Sequence, residues 1–216
     1  MTLKCKAAIF DMDGTLLESM RFWRFAALEF LMDHNMPISD NALAGVFRRS
    51  AGQTIKIAYA DAGLDESDIP ADMGEAILKH VIPRYASYVH AKEFALDYVR
   101  QLHNSGIRCC VATATQKDEA EKVLRKLGFN EYFEFIFDTD DAGCSKAHVE
   151  YFEKLSEKLG LPLDECVLYE DALYSIKTAK QAGLRVVAIE DYCASDFKEE
   201  IKALSDVYIS SFKELL

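Results

Sequence analysis

Long hydrophobic runs are missing from this sequence. No stretch of its 216 residues approaches the roughly 20 apolar residues that cross a bilayer, which excludes a spanning helix. The opening segment, MTLKCKAAIFDMDG, has no apolar core of about 7–15 residues ahead of its first charges, so no secretory leader is expected. Metal-binding spacings of the CxxC or Cys/His kind are also missing. The six cysteines stand singly except Cys109-Cys110, and Cys5, Cys109 and Cys110 lie in apolar runs, as core thiols of a reducing cytoplasm do. Positive charge is scarce: 25 Lys and Arg against 36 Asp and Glu leave a net charge of -11. That argues against a nucleic-acid partner, because counterion release needs a basic surface. It also obliges an anionic ligand to find local positive charge or a metal. Glycine (10) and proline (4) are few and half the residues are hydrophobic, which fits a globular protein with a sizeable core. Repeats and low-complexity tracts are absent.

Short apolar runs alternate with helical patterns. Residues 5–10 (CKAAIF), 107–112 (IRCCVA), 133–137 (FEFIF), 166–169 (CVLY), 185–189 (RVVAI) and 206–209 (DVYI) read as strands. Helical periodicity covers 91–104, 116–127, 146–159, 172–182 and 195–204, and Gly106, Gly128, Gly160 and Gly183 stand where C-terminal caps belong. This alternation predicts an α/β fold, a parallel sheet with helices on both faces. The interval between the first two strands breaks the rhythm. It holds four amphipathic stretches, 19–34, 40–49, 52–62 and 71–88, punctuated by Pro37, Gly63 and Pro70. So much helix is too long for a simple crossover. The expected organisation is a core of residues 1–16 and 89–216, with 17–88 inserted as an all-helical cap domain over one end of the sheet.

Ligands of open parallel sheets bind at the carboxyl ends of the strands, so the residues that follow each strand matter most. After the first come Asp11, Asp13, Gly14 and Thr15; after the second, Thr113, Ala114 and Thr115. The loop DTDDAGCSK after the third brings Lys146 to a helix start, and Glu170-Asp171 follow the fourth. Four strand ends thus offer carboxylates, hydroxyls and one lysine to a common crevice. Each has a plainer explanation taken singly. A DxDG turn can be a solvated loop or a calcium-binding fragment, and Thr113 or the Glu170-Asp171 pair can cap the helix that follows.

Taken together, the stretch IFDMDGT around Asp11 and Asp13, the strand-end Thr113, Lys146 and the acidic pair resemble, in order, the four motifs of the haloacid dehalogenase superfamily, mostly phosphatases. The resemblance covers the whole chain, cap included. D-x-D-G-T alone would arise by chance in roughly one chain in 500 of this size, and the other three motifs make coincidence harder to sustain. The resemblance implies a Rossmann-like core and an Mg2+-dependent phosphatase acting on a small phosphorylated metabolite through an aspartyl-phosphate. It implies Asp11 as nucleophile, Asp13 as acid and then base, and Thr113 with the Ala114 amide as phosphoryl-binding groups. Lys146 would neutralise phosphoryl oxygens, and Mg2+ would be held by Asp11, the Asp13 carbonyl and Asp171, with Glu170 as a further ligand or support. No nucleic acid or membrane partner is expected, and the enzyme would act as a cytoplasmic monomer.

Asp13 sets the chain apart from the dehalogenases, which need no leaving-group acid there. The segment LAGVFRRSAGQ resembles the cap loop of β-phosphoglucomutase-like proteins, with Arg48 in the place of the arginine that binds a second phosphate. A sugar phosphomutase is therefore the alternative, but the slot where such mutases carry a histidine holds Trp23, which favours hydrolysis. A non-catalytic regulatory binding protein is a third reading, opposed by the intact set of Asp11, Asp13, Lys146 and Asp171. Two motifs depart from the usual pattern: CSKAHVEYF follows no G-K-P-x-P form, and Ser175 stands where a glycine is common. Arg49, Lys79, His80 and Arg84 are candidates to meet the leaving group. Phe22, Trp23 and Phe25 are expected to pack cap helices together, and His80 shows no partner in the sequence.

Overall fold

A computed structural model describes residues 4–46 and 49–216. Among these, six parallel strands form one sheet: β1 (Ala7–Phe10), β2 (Arg108–Ala112), β3 (Ile136–Phe137), β4 (Cys166–Glu170), β5 (Arg185–Ile189) and β6 (Val207–Ile209), in the spatial order β3-β2-β1-β4-β5-β6. Helices α1 (Met20–Asp33), α2 (Asp40–Ala44), α3 (Ala51–Asp61) and α4 (Met73–Tyr88) lie between β1 and β2 in the chain. Then α5 (Ala95–Asn104) leads into β2, α6 (Lys117–Lys126) follows it, and α7 (Thr139–Ala142) and α8 (Val149–Leu159) connect β3 to β4. Finally α9 (Leu173–Gln181) joins β4 to β5, and α10 (Lys198–Leu204) precedes β6.

Apart from Arg108 and Arg185 at strand starts and Glu170 at a strand end, the central strands are largely apolar because both faces of the sheet are covered. On one face Ala7 and Ile9 of β1, Cys110 of β2 and Leu168 of β4 belong to a buried cluster with Phe152 and Leu155 of α8 and Ile176 and Ala179 of α9. The alternate residues point to the other face. There Phe10 stacks on Tyr169 with ring centroids 4.4 Å apart, and the Tyr98 and Tyr169 hydroxyls share a buried hydrogen bond of 2.6 Å. Gly160 ends α8 in the left-handed conformation, φ 65°, which a residue without a Cβ takes at little cost. The other three glycines expected at helix ends also have positive φ.

Several boundaries differ from the sequence expectation. The run 133–137 contributes only Ile136–Phe137 to the ladder, because β3 is an edge strand and Glu134 turns its carboxylate onto Arg108 at 2.8 and 2.7 Å. The helix expected from 146 begins at Val149, after a turn in which the His148 N–H donates to the Ser145 carbonyl. The helix expected over 40–49 stops at Ala44, capped by Gly45.

The chain forms two compact units, Met1–Glu18 with His90–Leu216 and Ser19–Val89. Residues 17 and 18 belong with the sheet because Leu17 bridges Ala91 and the Glu18 N–H donates to the His90 carbonyl at 2.9 Å. The helical unit packs α1 against α3 and α4. Its Trp23 indole donates to the Tyr85 hydroxyl at 2.6 Å, and Arg84 grips the Glu29 carboxylate through both guanidinium nitrogens. The side chain of Ser50 caps α3 in a reciprocal box with Gln53. Phe22 is buried, but Phe25 is 43% exposed and packs less than expected.

Candidate active site

The strand order reverses at β1: the chain moves outward to β2 and β3, then returns to place β4 on the other side of β1. In such sheets this switch point opens a crevice at the strand ends. Register brings the acidic ends together there. Phe10 is paired with Tyr169, and the Asp11 N–H donates to the Tyr169 carbonyl at 2.9 Å, so Asp11 emerges beside Glu170 and Asp171. All three are buried, and one oxygen from each lies within 4.8 Å of the others. The intervening turn fits only a glycine. Gly14 has φ 90°, and a Cβ there would sit 2.8 Å from Asp171 Oδ1 and closer still to Oδ2. Next to it, Thr15 Oγ1 donates to Asp171 Oδ1 at 3.1 Å.

Lys146 enters the cluster from the loop between α7 and α8 rather than from a helix. Only 2% exposed, its ammonium uses all three protons: 2.5 Å to Asp11 Oδ1, 2.7 Å to Glu170 Oε2 and 3.2 Å to the Ala112 carbonyl. Burial works to lower the Lys146 pKa, but Asp11 and Glu170 overcome it and keep the ammonium protonated well above its usual range. The second oxygen of Glu170 accepts the Asp171 and Ala172 N–H groups at 3.1 and 3.0 Å, so this carboxylate is saturated by its own surroundings. Asp11 Oδ2, in contrast, is buried with no hydrogen-bond partner.

The electrostatics show what is wanting. Fully ionised, three buried carboxylates against one ammonium would leave an excess of two negative charges. Burial, then Glu170, with a smaller push from Asp13, raises the Asp11 carboxyl to about 7 despite Lys146. Burial, then Asp11 and Glu170, holds Asp171 well above the ordinary carboxylate range. An orphaned carboxylate oxygen, an all-oxygen donor set and a charge excess of two fit a hard divalent cation.

Asp13 stands at the rim, half-buried, and accepts a 2.7 Å hydrogen bond from Thr115 Oγ1. Thr113 is fully buried and caps no helix, since α6 begins at Lys117. Instead its Oγ1 accepts the Thr115 N–H at 3.0 Å, folding the turn that contains Ala114. The structure therefore gathers Asp11, Glu170, Asp171 and Lys146 in one cluster, with Thr115 joining Asp13 to the end of β2. Arg48 lies outside the described residues. Arg49 is spent on the Asn41 carbonyl and side chain, Arg84 on Glu29, and His80 lies between Glu29 and Asp33. Lys79 is exposed. Sequence reasoning gave no role to Thr15 or Thr115, whose partners are 156 and 102 residues away. Ser175 is fully buried with its hydroxyl unpartnered.

Fold and candidate site together have the form of an α/β enzyme with an acidic crevice at the ends of β1 and β4. The chain matches the haloacid dehalogenase-like hydrolases over residues 5–183 and belongs to that family. Among curated relatives, it is 26% identical over 212 residues to the validoxylamine A 7'-phosphate phosphatase of Streptomyces hygroscopicus, covering 97% of this chain and 95% of that one. It is also 26% identical to hexitol phosphatase B of Escherichia coli K12, over 97% and 93% of the two chains. The structure of CbbY from Rhodobacter sphaeroides in complex with phosphate superposes with a TM-score of 0.78 over 98% of this chain and 96% of that one, at 24% identity, a likeness of fold. Among the described residues no helix is long and apolar enough to cross a membrane.

Proposed function

We propose that this protein is a phosphatase that hydrolyses a small phosphorylated metabolite through an aspartyl-phosphate on Asp11. The observation that carries the reading is the state of Asp11: Lys146 holds one oxygen, and the other, buried without a hydrogen-bond partner, is the one we assign to attack phosphorus. Forming an acyl phosphate (a mixed anhydride) on that oxygen, with the P–O bond to the leaving group breaking, splits one difficult displacement into two easier ones. Asp13 supplies a proton to the leaving oxygen and then takes one from the water that attacks the intermediate, with the Thr115 hydroxyl fixing its carboxylate. Thr113 and the Ala114 amide orient the phosphoryl group, and Lys146 offsets its developing charge. Asp11, the Asp13 carbonyl and Asp171 would hold Mg2+, with Glu170 supporting Lys146. When bound, the ion supplies positive charge to the phosphoryl oxygens.

The relatives named as phosphatases of phosphorylated sugars and polyols support this class of substrate. We take the helical unit to be an inserted cap domain and the protein to act as a monomer. Its six cysteines, none in a disulfide and four of them buried, fit the cytoplasm. The test is phosphate release over a panel of sugar, polyol and two-carbon acid phosphates, with Mg2+ or with chelator. Release from at least one is expected, lost with chelator and with Asp11→Asn, and lowered about 10²–10³-fold by Lys146→Ala. Release undiminished in Asp11→Asn would overturn the reading. Conversion of a sugar 1-phosphate to its 6-phosphate without free phosphate would replace it with the mutase.

A further inference from the structure

A second buried charge lies outside this chemistry. Lys92 is 9% exposed, and its ammonium donates to the Glu190 carbonyl at 2.6 Å and to Asp191 Oδ2 at 3.1 Å. Asp191 is itself 8% exposed, and its other oxygen accepts the Cys193 N–H at 2.9 Å. These contacts fasten Lys92 to the end of β5. Its main chain is fastened elsewhere: the Lys92 N–H donates to the Leu16 carbonyl at 2.8 Å, and the neighbouring Ala91 bridges Leu17. One residue thus ties the loop after β1 to the end of β5. In the sheet, β1 and β5 are the two neighbours of β4, the strand that delivers Asp171. The same β1 loop carries Thr15, which donates to Asp171, and Gly14, packed against its carboxylate.

We propose that Lys92 is a positioning residue for the cation site: its side chain clasps the end of β5 and its main chain the β1 loop, holding Asp171 in register with Asp11. The inference rests on Asp11 and Asp171 being the cation's ligands. Lys92 and Asp191 are opposite charges paired at 3.1 Å, so together they bring no net charge to the site. Its contribution is therefore geometric. A buried ion pair is often replaceable by apolar groups without loss of stability, so burial alone does not require it here.

The test is calorimetric titration of the metal-free protein with Mg2+. The key variant is Lys92→Met with Asp191→Asn, which removes both charges together, and Asp171→Asn serves as control. The double variant is expected to fold, by circular dichroism, and to bind Mg2+ about 10–100-fold more weakly, the usual effect of losing an outer support of a metal ligand. Lys92→Arg, which keeps the charge and the donors, should recover most of the affinity. Wild-type affinity in the folded double variant, even with a lowered Tm, would make the pair a core contact only and overturn the proposal. Should that variant not fold, Lys92→Gln with Asp191→Asn, which keeps side-chain donors, is titrated in its place: weakened binding supports the proposal and wild-type affinity overturns it. If wild type binds no Mg2+, or Asp171→Asn binds it equally well, the cation reading itself fails and this inference with it.

Discussion

At Asp11, burial and a neighbouring carboxylate act together against Lys146. Its carboxyl, normally ionising near 3.8, is raised to about 7, first by burial and then by Glu170, and Lys146 only partly offsets this. Between those values the folded protein binds a proton that the unfolded chain has released. Stability then falls as pH rises through this window, the reverse of an ordinary salt-bridged aspartate. The metal-free protein should accordingly lose several degrees of Tm between pH 5 and pH 8. Asp11→Asn should lessen that dependence, with Asp171 carrying what remains, and Mg2+ should raise Tm more at pH 8 than at pH 5. Differential scanning fluorimetry across pH checks all three, and equal slopes for wild type and Asp11→Asn would refute the assignment of the shift.

At the scale of elements, the site is held in place by the β1–β4 pairing, and that pairing rests on an aromatic layer behind it. Tyr169 of β4 stacks on Phe10 of β1 and shares its hydroxyl hydrogen bond with Tyr98 of α5. Removing one hydroxyl leaves the other buried without that partner, at a cost of about 1–3 kcal/mol, whereas removing both is much milder. Urea unfolding of Tyr98→Phe, Tyr169→Phe and the double variant should show this non-additivity. Much at this scale was legible beforehand, because buried parallel strands advertise themselves as short apolar runs and helix ends as glycines. Residues 7–10, 108–112 and 185–189 illustrate it. What was not legible depends on distant partners. The turn before α8 puts Lys146 in a loop, β3 shortens at the sheet edge, and Thr15, Thr115 and Lys92 acquire meaning only when folding delivers Asp171, Asp13 and Asp191 to them.

At the scale of the whole molecule, the difficulty is the charge. A protein of net charge -11 offers little attraction to phosphate esters, and three of its carboxylates are buried together at the site. Lys146 is engaged in its three hydrogen bonds, which leaves a divalent cation as the natural source of the missing positive potential. The order of motifs along the chain made the family readable, while the helical unit gave little away. Arg84, His80 and Arg49 are occupied within that unit, so the basic residues singled out for substrate are largely engaged in holding helices and loops together.

Whether Asp11 carries the phosphoryl group is open to direct measurement. In Asp13→Asn the second step lacks its base, yet p-nitrophenyl phosphate, with its good leaving group, does not depend on an acid for the first. Mixing this variant with p-nitrophenyl phosphate and Mg2+, quenching in acid and mapping peptides by mass spectrometry should place the mass of one phosphoryl group on the peptide containing Asp11. Borohydride should reduce that residue to homoserine. An unmodified Asp11 alongside full release of p-nitrophenol and phosphate, or a phosphoryl group found on another residue, would contradict the covalent mechanism.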